Sequence, residues 1–247
     1  MLEFLLLMKK SLSIVIPVYN EGDLVQDIIQ SISENREKLT YELGEVVVVD
    51  DGSVSSKCCR IFFDTLDMND YNFSLRLIEH EKNLGKGAAI KTGMKVTTGS
   101  HIMFVDVDQS TAWESVRSLL KFSFENPEYV VCGSRAVIGS VVKIKQSKWR
   151  ILLGRWGGKI IHSFFKIPIN DTQCGCKVFP KKVADMLTRE GYTNRWAVDV
   201  EWLSKCVRYN IPLKEFPVSW TDSRDSQVKP WHFIVTALEI LRIYIKK

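Results

Sequence analysis

Apolar positions along the chain fall into two spacings that alternate. Leu12 to Val18 is a nearly continuous apolar run of strand length, and Leu24, Val25, Ile28, Ile29 and Ile32 then recur on one face of a helix. Further strands are predicted over Glu45 to Val49, Ser74 to Ile78, His101 to Val105 and Tyr129 to Cys132. Between them lie two helices. One opens at Gly85-Lys86-Gly87 and carries Ala88, Ala89, Ile90 and Met94, and the other runs near Trp113 to Phe124. This alternation predicts an α/β fold with a mainly parallel central sheet flanked by helices. After about Gly133 the rhythm is less regular, and no internal repeat is present.

Composition bounds the picture. The 247 residues suffice for one sizeable core, and no Pro/Gly/Ser-rich linker divides them, so a single domain over 1–247 is expected. The net charge of +5 is modest, but its distribution is uneven: no acidic residue occurs between Glu128 and Asp171, where Arg135, Lys143, Lys145, Lys148, Arg150, Arg155, Lys159 and Lys166 all fall. Such a block suits phosphates or an anionic lipid surface, or forms a solvated helix face. No nucleic-acid partner is expected. Six cysteines (Cys58, Cys59, Cys132, Cys174, Cys176, Cys206) lack both framework spacing and a Cys-x-x-Cys zinc pair, so they are expected to stay reduced. The apolar start Met1 to Met8 is too short for a span, which takes about 20 residues. With no longer apolar stretch elsewhere, the expectation is a cytosol-facing protein without a transmembrane helix, touching membranes peripherally. Trp149 to Phe165, where Trp, Ile, Leu and Phe interleave with Lys and Arg, and Trp231 to Ile245 both read as interfacial amphipathic helices or as core helices.

The chemistry gathers where strands end. Asp106-Val107-Asp108 closes one apolar run and Asp50-Asp51 closes Val46 to Val49, and ligands of open α/β sheets bind beyond the carboxyl ends of strands. An acidic crevice repels bare phosphate, yet it can hold a hard divalent cation that binds a diphosphate from its other side. Pro17-Val-Tyr19-Asn20-Glu21 sits where the first strand opens, so its backbone and the Tyr19 ring can face a base and ribose, or serve as a cap. Asp50-Asp51-Gly52-Ser53 can hydrogen-bond a base or ribose, or cap a turn. Gly85-Lys86-Gly87 fits no P-loop, and the first strand is not followed by Gly-x-Gly-x-x-Gly, which argues against both a P-loop NTPase and a dinucleotide dehydrogenase.

Taken together, Ser13-Ile-Val-Ile-Pro-Val-Tyr-Asn-Glu21, Val48-Val-Asp-Asp-Gly-Ser53, Asn83-Leu-Gly-Lys-Gly87 and Asp106-Val-Asp108 resemble family 2 glycosyltransferases of the GT-A fold. Gly133-Ser-Arg135, Asp171-Thr-Gln-Cys-Gly175, Lys177-Val-Phe179, Arg195-Trp-Ala-Val-Asp-Val-Glu201 and Val218-Ser-Trp220 extend the resemblance to its branch that glucosylates dolichyl phosphate. It implies a nucleotide-sugar half over 11–132 and an acceptor and membrane-interface half over 133–247. It further implies inverting transfer of glucose from UDP-glucose to dolichyl phosphate on the cytosolic face of the endoplasmic reticulum. The product, dolichyl β-glucosyl phosphate, would serve N-glycan precursor assembly. Pro17, Tyr19, Asn20, Glu21, Asp50, Asp51, Lys86 and Asp106 would line the donor site, Asp106 and Asp108 would hold Mg2+ or Mn2+, and Asp106, Asp108, Arg135, Asp171 and Asp199 would form the catalytic set. A mannosyl enzyme using GDP-mannose and a non-catalytic nucleotide-sugar-binding module are the alternatives.

The groups themselves add chemistry. A β product from an α-linked donor requires attack from the opposite face as the diphosphate leaves. The nucleophile, a phosphate monoester with a second pKa of about 6, needs positive charge more than a base. Arg135, with Lys148, Arg150 and Arg155, supplies it, arginine through its two-point fork. Asp171 is expected to bind glucose hydroxyls or orient Arg135, and Asp199 to act at the site or pair with Arg195 at helical spacing. Trp196 and Trp220 stack on sugar or fill core. Gln109 and Ser110 replace the small residues usual after the Asp-x-Asp, and Cys174 and Cys176 carry no evident chemistry.

Overall fold

The computed structural model describes residues 10–39, 41–143, 157–158, 161–221 and 230–246, with the backbone alone for 230–233. Met1 to Met8, Lys145, Lys148, Arg150, Arg155, Lys159 and most of the Trp149 to Phe165 segment lie outside the described residues. The strands are β1 (Ser11–Val18), β2 (Glu42–Asp50), β3 (Ser74–Glu79), β4 (His101–Val105), β5 (Val130–Ser134), β6 (Val141–Val142), β7 (Cys176–Pro180), β8 (Leu213–Pro217) and β9 (Ser219–Trp220). Seven of them form one sheet in the order β3-β2-β1-β4-β7-β5-β8, and β6 pairs with β9 in a short parallel ribbon. Every pairing in the large sheet is parallel except those of β7, which runs antiparallel to β4 and β5.

The expected α/β architecture is therefore present, and the continuous apolar runs have a direct cause. In β1, Leu12, Ile14 and Ile16 bury against α1 (Val25–Arg36) and one core layer, while Val15 faces the other. A parallel sheet covered on both faces needs apolar residues at every strand position. The second layer is built by α3 (Lys86–Val96), α5 (Lys181–Glu190) and α6 (Val198–Arg208), and α4 (Trp113–Glu125) joins α1 in the first. A short α2 (Cys59–Phe63) follows β2, and α7 (Pro230–Ile245) ends the described chain.

Four strands of the less regular second half, β6, β8, β9 and β7, lie outside the runs that periodicity predicts, and of these β7 is the one interior to the large sheet. Its sequence Cys-Lys-Val-Phe-Pro places a lysine in the interior and a proline at the end, and both read as loop; yet Lys177 is fully buried. Among the described residues, no helix is long and apolar enough to cross a membrane. Along α7, Ile234, Leu238, Leu241 and Ile245 are exposed at helical spacing, whereas Ile243 packs into the second core layer.

Candidate active site

The β1–β4 ladder ends at the Val15 and Phe104 pair, so Pro17, which has no N–H to donate, lies past it and runs alongside Val49 of β2. Beyond it, Tyr19 is 38% exposed at the rim. Asn20 adopts a left-handed backbone with φ of 59° and cross-links two strand exits: its N–H donates to Ser53 Oγ at 2.8 Å, and its Oδ1 accepts from Val54 N at 2.9 Å. Glu21 is next. Burial and the negative charges of Asp108 and Asp106 push its pKa up to about 7.

The β2 exit differs from expectation. Asp50 and Asp51 are each 2% exposed, and the protein itself occupies their carboxylates. Asp50 accepts from Ser53 N at 2.8 Å and Cys59 N at 2.7 Å. Asp51 accepts from Leu84 N (2.9 Å), Gly85 N (2.7 Å), Asn83 Nδ2 (2.9 Å) and His80 Nδ1 (2.8 Å). In this geometry these carboxylates shape the two loops, in keeping with the turn alternative for the Asp-Asp-Gly-Ser segment.

The loop that Asp51 clamps leads into α3. Gly85 has φ of 107°, and a Cβ there would come within 2.5 Å of the Asn194 carbonyl oxygen, so only glycine lets the loop before α6 approach. The next residue, Lys86, sets its Nζ 2.5 Å from Asp106 Oδ1 and 5.6 Å from the centre of the Trp196 ring. Burial opposes its charge, but Asp106 and Asp199 outweigh that and hold its pKa above the ordinary lysine value.

At the β4 exit, Asp106 N donates to Gly175 O at 3.1 Å, and the carboxylate lies over Gly175 so closely that a Cβ there would fall 1.8 Å from Oδ2. Gln109, left-handed with φ of 51°, turns the chain so that Ser110 N donates to Asp108 Oδ1 at 3.0 Å. Burial and the charge of Asp106 raise the Asp108 pKa. A cavity of about 20 Å³ beside Gln109, Ser110 and Trp113 has room for about one water and not for a hexose.

Hard oxygen donors thus collect at one crevice. Among the described residues, no three carboxylate, imidazole or thiolate groups stand close enough together to hold a metal by themselves. That donor set fits Mg2+ or Mn2+ of the kind bound by one or two carboxylates together with substrate phosphates.

Arg135 follows β5, near enough to Asp106 to feel its charge, and is taken up by Asp171. Its Nε donates to Oδ2 at 2.6 Å, Nη2 to Oδ1 at 2.8 Å, and its backbone N to Oδ2 at 3.0 Å. This pairing, with burial opposing and Asp171 outweighing it, keeps the guanidinium fully charged, and it holds the Asp171 carboxyl below the usual range despite burial. The pair uses the Nε edge of the fork; among the described residues Nη1 has no hydrogen-bond partner. The guanidinium also lies 5.1 Å from the centre of the Trp220 ring, which is mostly buried, so Trp220 supports Arg135. Glu215 of β8 fixes the loop behind, accepting from Asp171 N at 2.8 Å.

Asp199 is not paired with Arg195. Its Oδ1 sits 2.7 Å from Nζ of Lys177, a residue to which the sequence alone assigns no role. Lys177 also donates to Cys174 O at 2.7 Å, and although burial opposes its charge, Asp199 holds its pKa above the ordinary lysine value. Glu201, also without a role in the sequence alone, is buried, pairs with Lys205 at 2.9 Å, and accepts from Thr193 N at 2.8 Å in the loop before α6. The available signal for both was a charged residue inside an apolar run.

Known proteins share this frame. Dolichyl-phosphate beta-glucosyltransferase of Homo sapiens is 32% identical over 257 residues, with 96% of this chain and 76% of that protein covered. The protein of the same name from Dictyostelium discoideum is 30% identical, over 94% of this chain and 73% of its own. Among solved structures, glucosyl-3-phosphoglycerate synthase from Mycobacterium tuberculosis, in complex with Mn2+, UDP and glucosyl-3-phosphoglycerate, superposes with a TM-score of 0.69 at 15% identity, covering 96% of this chain and 79% of that one. A mannosyltransferase from Pyrobaculum calidifontis in complex with GDP-Man and Mn2+ gives 0.60 at 19% identity, covering 94% and 62%. These two likenesses establish the GT-A fold. Residues 13–187 match the sequence profile of glycosyl transferase family 2, and the chain belongs to that family.

Proposed function

We propose that the protein transfers glucose from UDP-glucose to dolichyl phosphate with inversion, forming dolichyl β-glucosyl phosphate on the cytosolic face of the endoplasmic reticulum. The observation that carries this reading is the closeness of two unlike charges. The acidic Asp106, Asp108 and Glu21 lie close enough to feel one another's charge, and Arg135, oriented by Asp171 and Trp220, lies close enough to feel that of Asp106. The dolichyl-phosphate glucosyltransferase relatives supply the acceptor and the sugar.

On this reading Asp106 and Asp108 hold Mg2+ or Mn2+, which when bound neutralises charge on the departing diphosphate. Lys86 is the chain's own cation on the donor side, and its pairing with Asp106 keeps it beside the crevice. Tyr19 at the exposed rim faces the base. Arg135 offers Nη1 to the acceptor phosphate and lowers the repulsion between two anions, while Asp171 holds the fork in orientation. The acceptor phosphate, already ionised, needs no proton acceptor, and Asp199 has its charge engaged by Lys177.

The lipid acceptor also calls for a surface that meets the bilayer. The exposed stripe of Ile234, Leu238, Leu241 and Ile245 on α7, with Phe164 close to Tyr244 at 5.1 Å, is the apolar side of such a contact. The decisive experiment offers the protein dolichyl phosphate with each radiolabelled nucleotide sugar in turn, alongside thermal protection by UDP and GDP. Glucose transfer from UDP-glucose, with cation-dependent protection by UDP, is the expected result. Transfer from GDP-mannose would move the chain to the mannosyl branch.

A further inference from the structure

Lys177 is a fully buried ammonium that the transfer chemistry does not use. It stands at the centre of the sheet, opposite Phe104 of β4 on one side and Cys132 of β5 on the other, with its Nζ 5.3 Å from the Phe104 ring centre. Two contacts leave it. One goes to the carbonyl oxygen of Cys174 at 2.7 Å, in the loop that carries Asp171 and Gly175. The other goes to Asp199 at 2.7 Å, in the first turn of α6, whose N-terminal end packs against the start of α3: a Cβ at Gly87 would meet Val198 Cβ at 2.8 Å.

We propose that Lys177 is a positioning residue that sets both sides of the transfer site at once, an inference that rests on the proposed function for its acceptor side. By joining the Cys174 carbonyl to Asp199, it fixes the Asp171–Gly175 loop against α6. The loop then does two things. Gly175 lies as a floor without a side chain under the Asp106 carboxylate, which lets Asp106 reach Lys86, and Asp171 stands behind the Arg135 guanidinium. A short backbone segment with one buried charge at its root thus ties the cation-binding carboxylate to the acceptor arginine. Gly175 is required on the donor side alone, because its missing Cβ is what Asp106 occupies.

The test separates positioning from simple support of the fold. Lys177→Met alone leaves Asp199 buried without its counter-charge, so it is paired with Lys177→Met/Asp199→Asn, which removes both charges together. Gly175→Ala leaves the ion pair in place and displaces only Asp106. Calorimetric binding of UDP with Mn2+, without acceptor, is measured beside thermal midpoints and the KM for dolichyl phosphate. The expected result is a double variant with a midpoint close to that of the wild type, yet at least ten-fold weaker UDP·Mn2+ binding and a raised acceptor KM. Gly175→Ala is expected to show the same binding loss with little change in acceptor KM. A stable double variant that binds UDP·Mn2+ and uses dolichyl phosphate like the wild type overturns the proposal. If the double variant does not fold, Gly175→Ala decides, and wild-type UDP·Mn2+ affinity there also overturns it. Should the wild type transfer no glucose to dolichyl phosphate, the proposed function falls while the binding arm still decides the donor side of this assignment.

Discussion

Replacing Asp51 with asparagine tests whether the second acidic strand end is a loop clamp or a reader of the base. Its carboxylate accepts four hydrogen bonds, from His80, Asn83, Leu84 and Gly85, at 2.7 to 2.9 Å. The introduced amide would keep one oxygen and turn an NH2 toward donors, leaving two of the four unmatched. Hydrogen bonds to a charged group contribute roughly 1.5–3 kcal/mol each, so after local relaxation the loss should be about 3 kcal/mol. For a chain of this size that corresponds to a fall in Tm of roughly 6–12 °C. The loop leads straight into Lys86, so weakened UDP·Mn2+ binding should accompany the loss. Urea unfolding and calorimetry on the same preparation measure both. A variant within about 1 kcal/mol of wild type that has lost UDP binding would refute the clamp and return Asp51 to the base-binding task that the sequence alone allows.

Other consequences follow from the same geometry. Asp108→Asn should abolish most turnover at an unchanged melting temperature, with partial rescue by excess manganese; wild-type turnover would remove Asp108 from the cation site. Arg135→Ala should cost stability as well as transfer, about 3–5 kcal/mol by chemical denaturation, because Asp171 is left buried and unpaired, whereas Arg135→Ala/Asp171→Asn should regain stability without transfer. Recovery of transfer in that double variant would exclude an acceptor role for the arginine. His101, buried against Phe124 with its pKa lowered to about 4, chiefly by burial, should make stability depend on pH. The unfolded chain takes up that proton near pH 6.5 and the folded one only near 4, so stability is intact above 6.5 and falls on acidification toward 4, by on the order of 3 kcal/mol. His101→Asn should flatten that slope in thermal melts between pH 7 and 4, and an unchanged slope would disprove the assignment.

The parts of the fold legible in sequence are those in which one chemical pattern repeats. β1, β2 and β4 were readable because burial on both faces demands apolar residues throughout, and β4 was bounded to the residue because acidic groups follow Val105. β7 was not, since its lysine is neutralised by an aspartate 22 positions away, and no local pattern announces a partner at that distance. The site divides in the same way. Asp106, Asp108 and Arg135 could be located from strand ends alone, but whether a carboxylate faces the crevice or the protein depends on which donors surround it. Asp50 and Asp51 look like Asp106 in sequence, yet their surroundings are backbone N–H groups, joined at Asp51 by the Asn83 amide and the His80 ring.

The antiparallel β7 has a consequence for how the chain can be made. Among the described residues β5 pairs with β7 and β8 and β4 pairs with β1 and β7, so no strand pairing joins β4 to β5 until residues 176–180 arrive. During synthesis from the N-terminus, the emerging chain can assemble β3-β2-β1-β4 as an open four-stranded piece, its last edge a fully buried-type strand awaiting a partner. A fragment ending near residue 135 lacks the strand that covers this edge and should aggregate instead of binding nucleotide, and the carboxylate and arginine sides of the crevice are joined through the sheet by a strand that lies far later in the sequence than either.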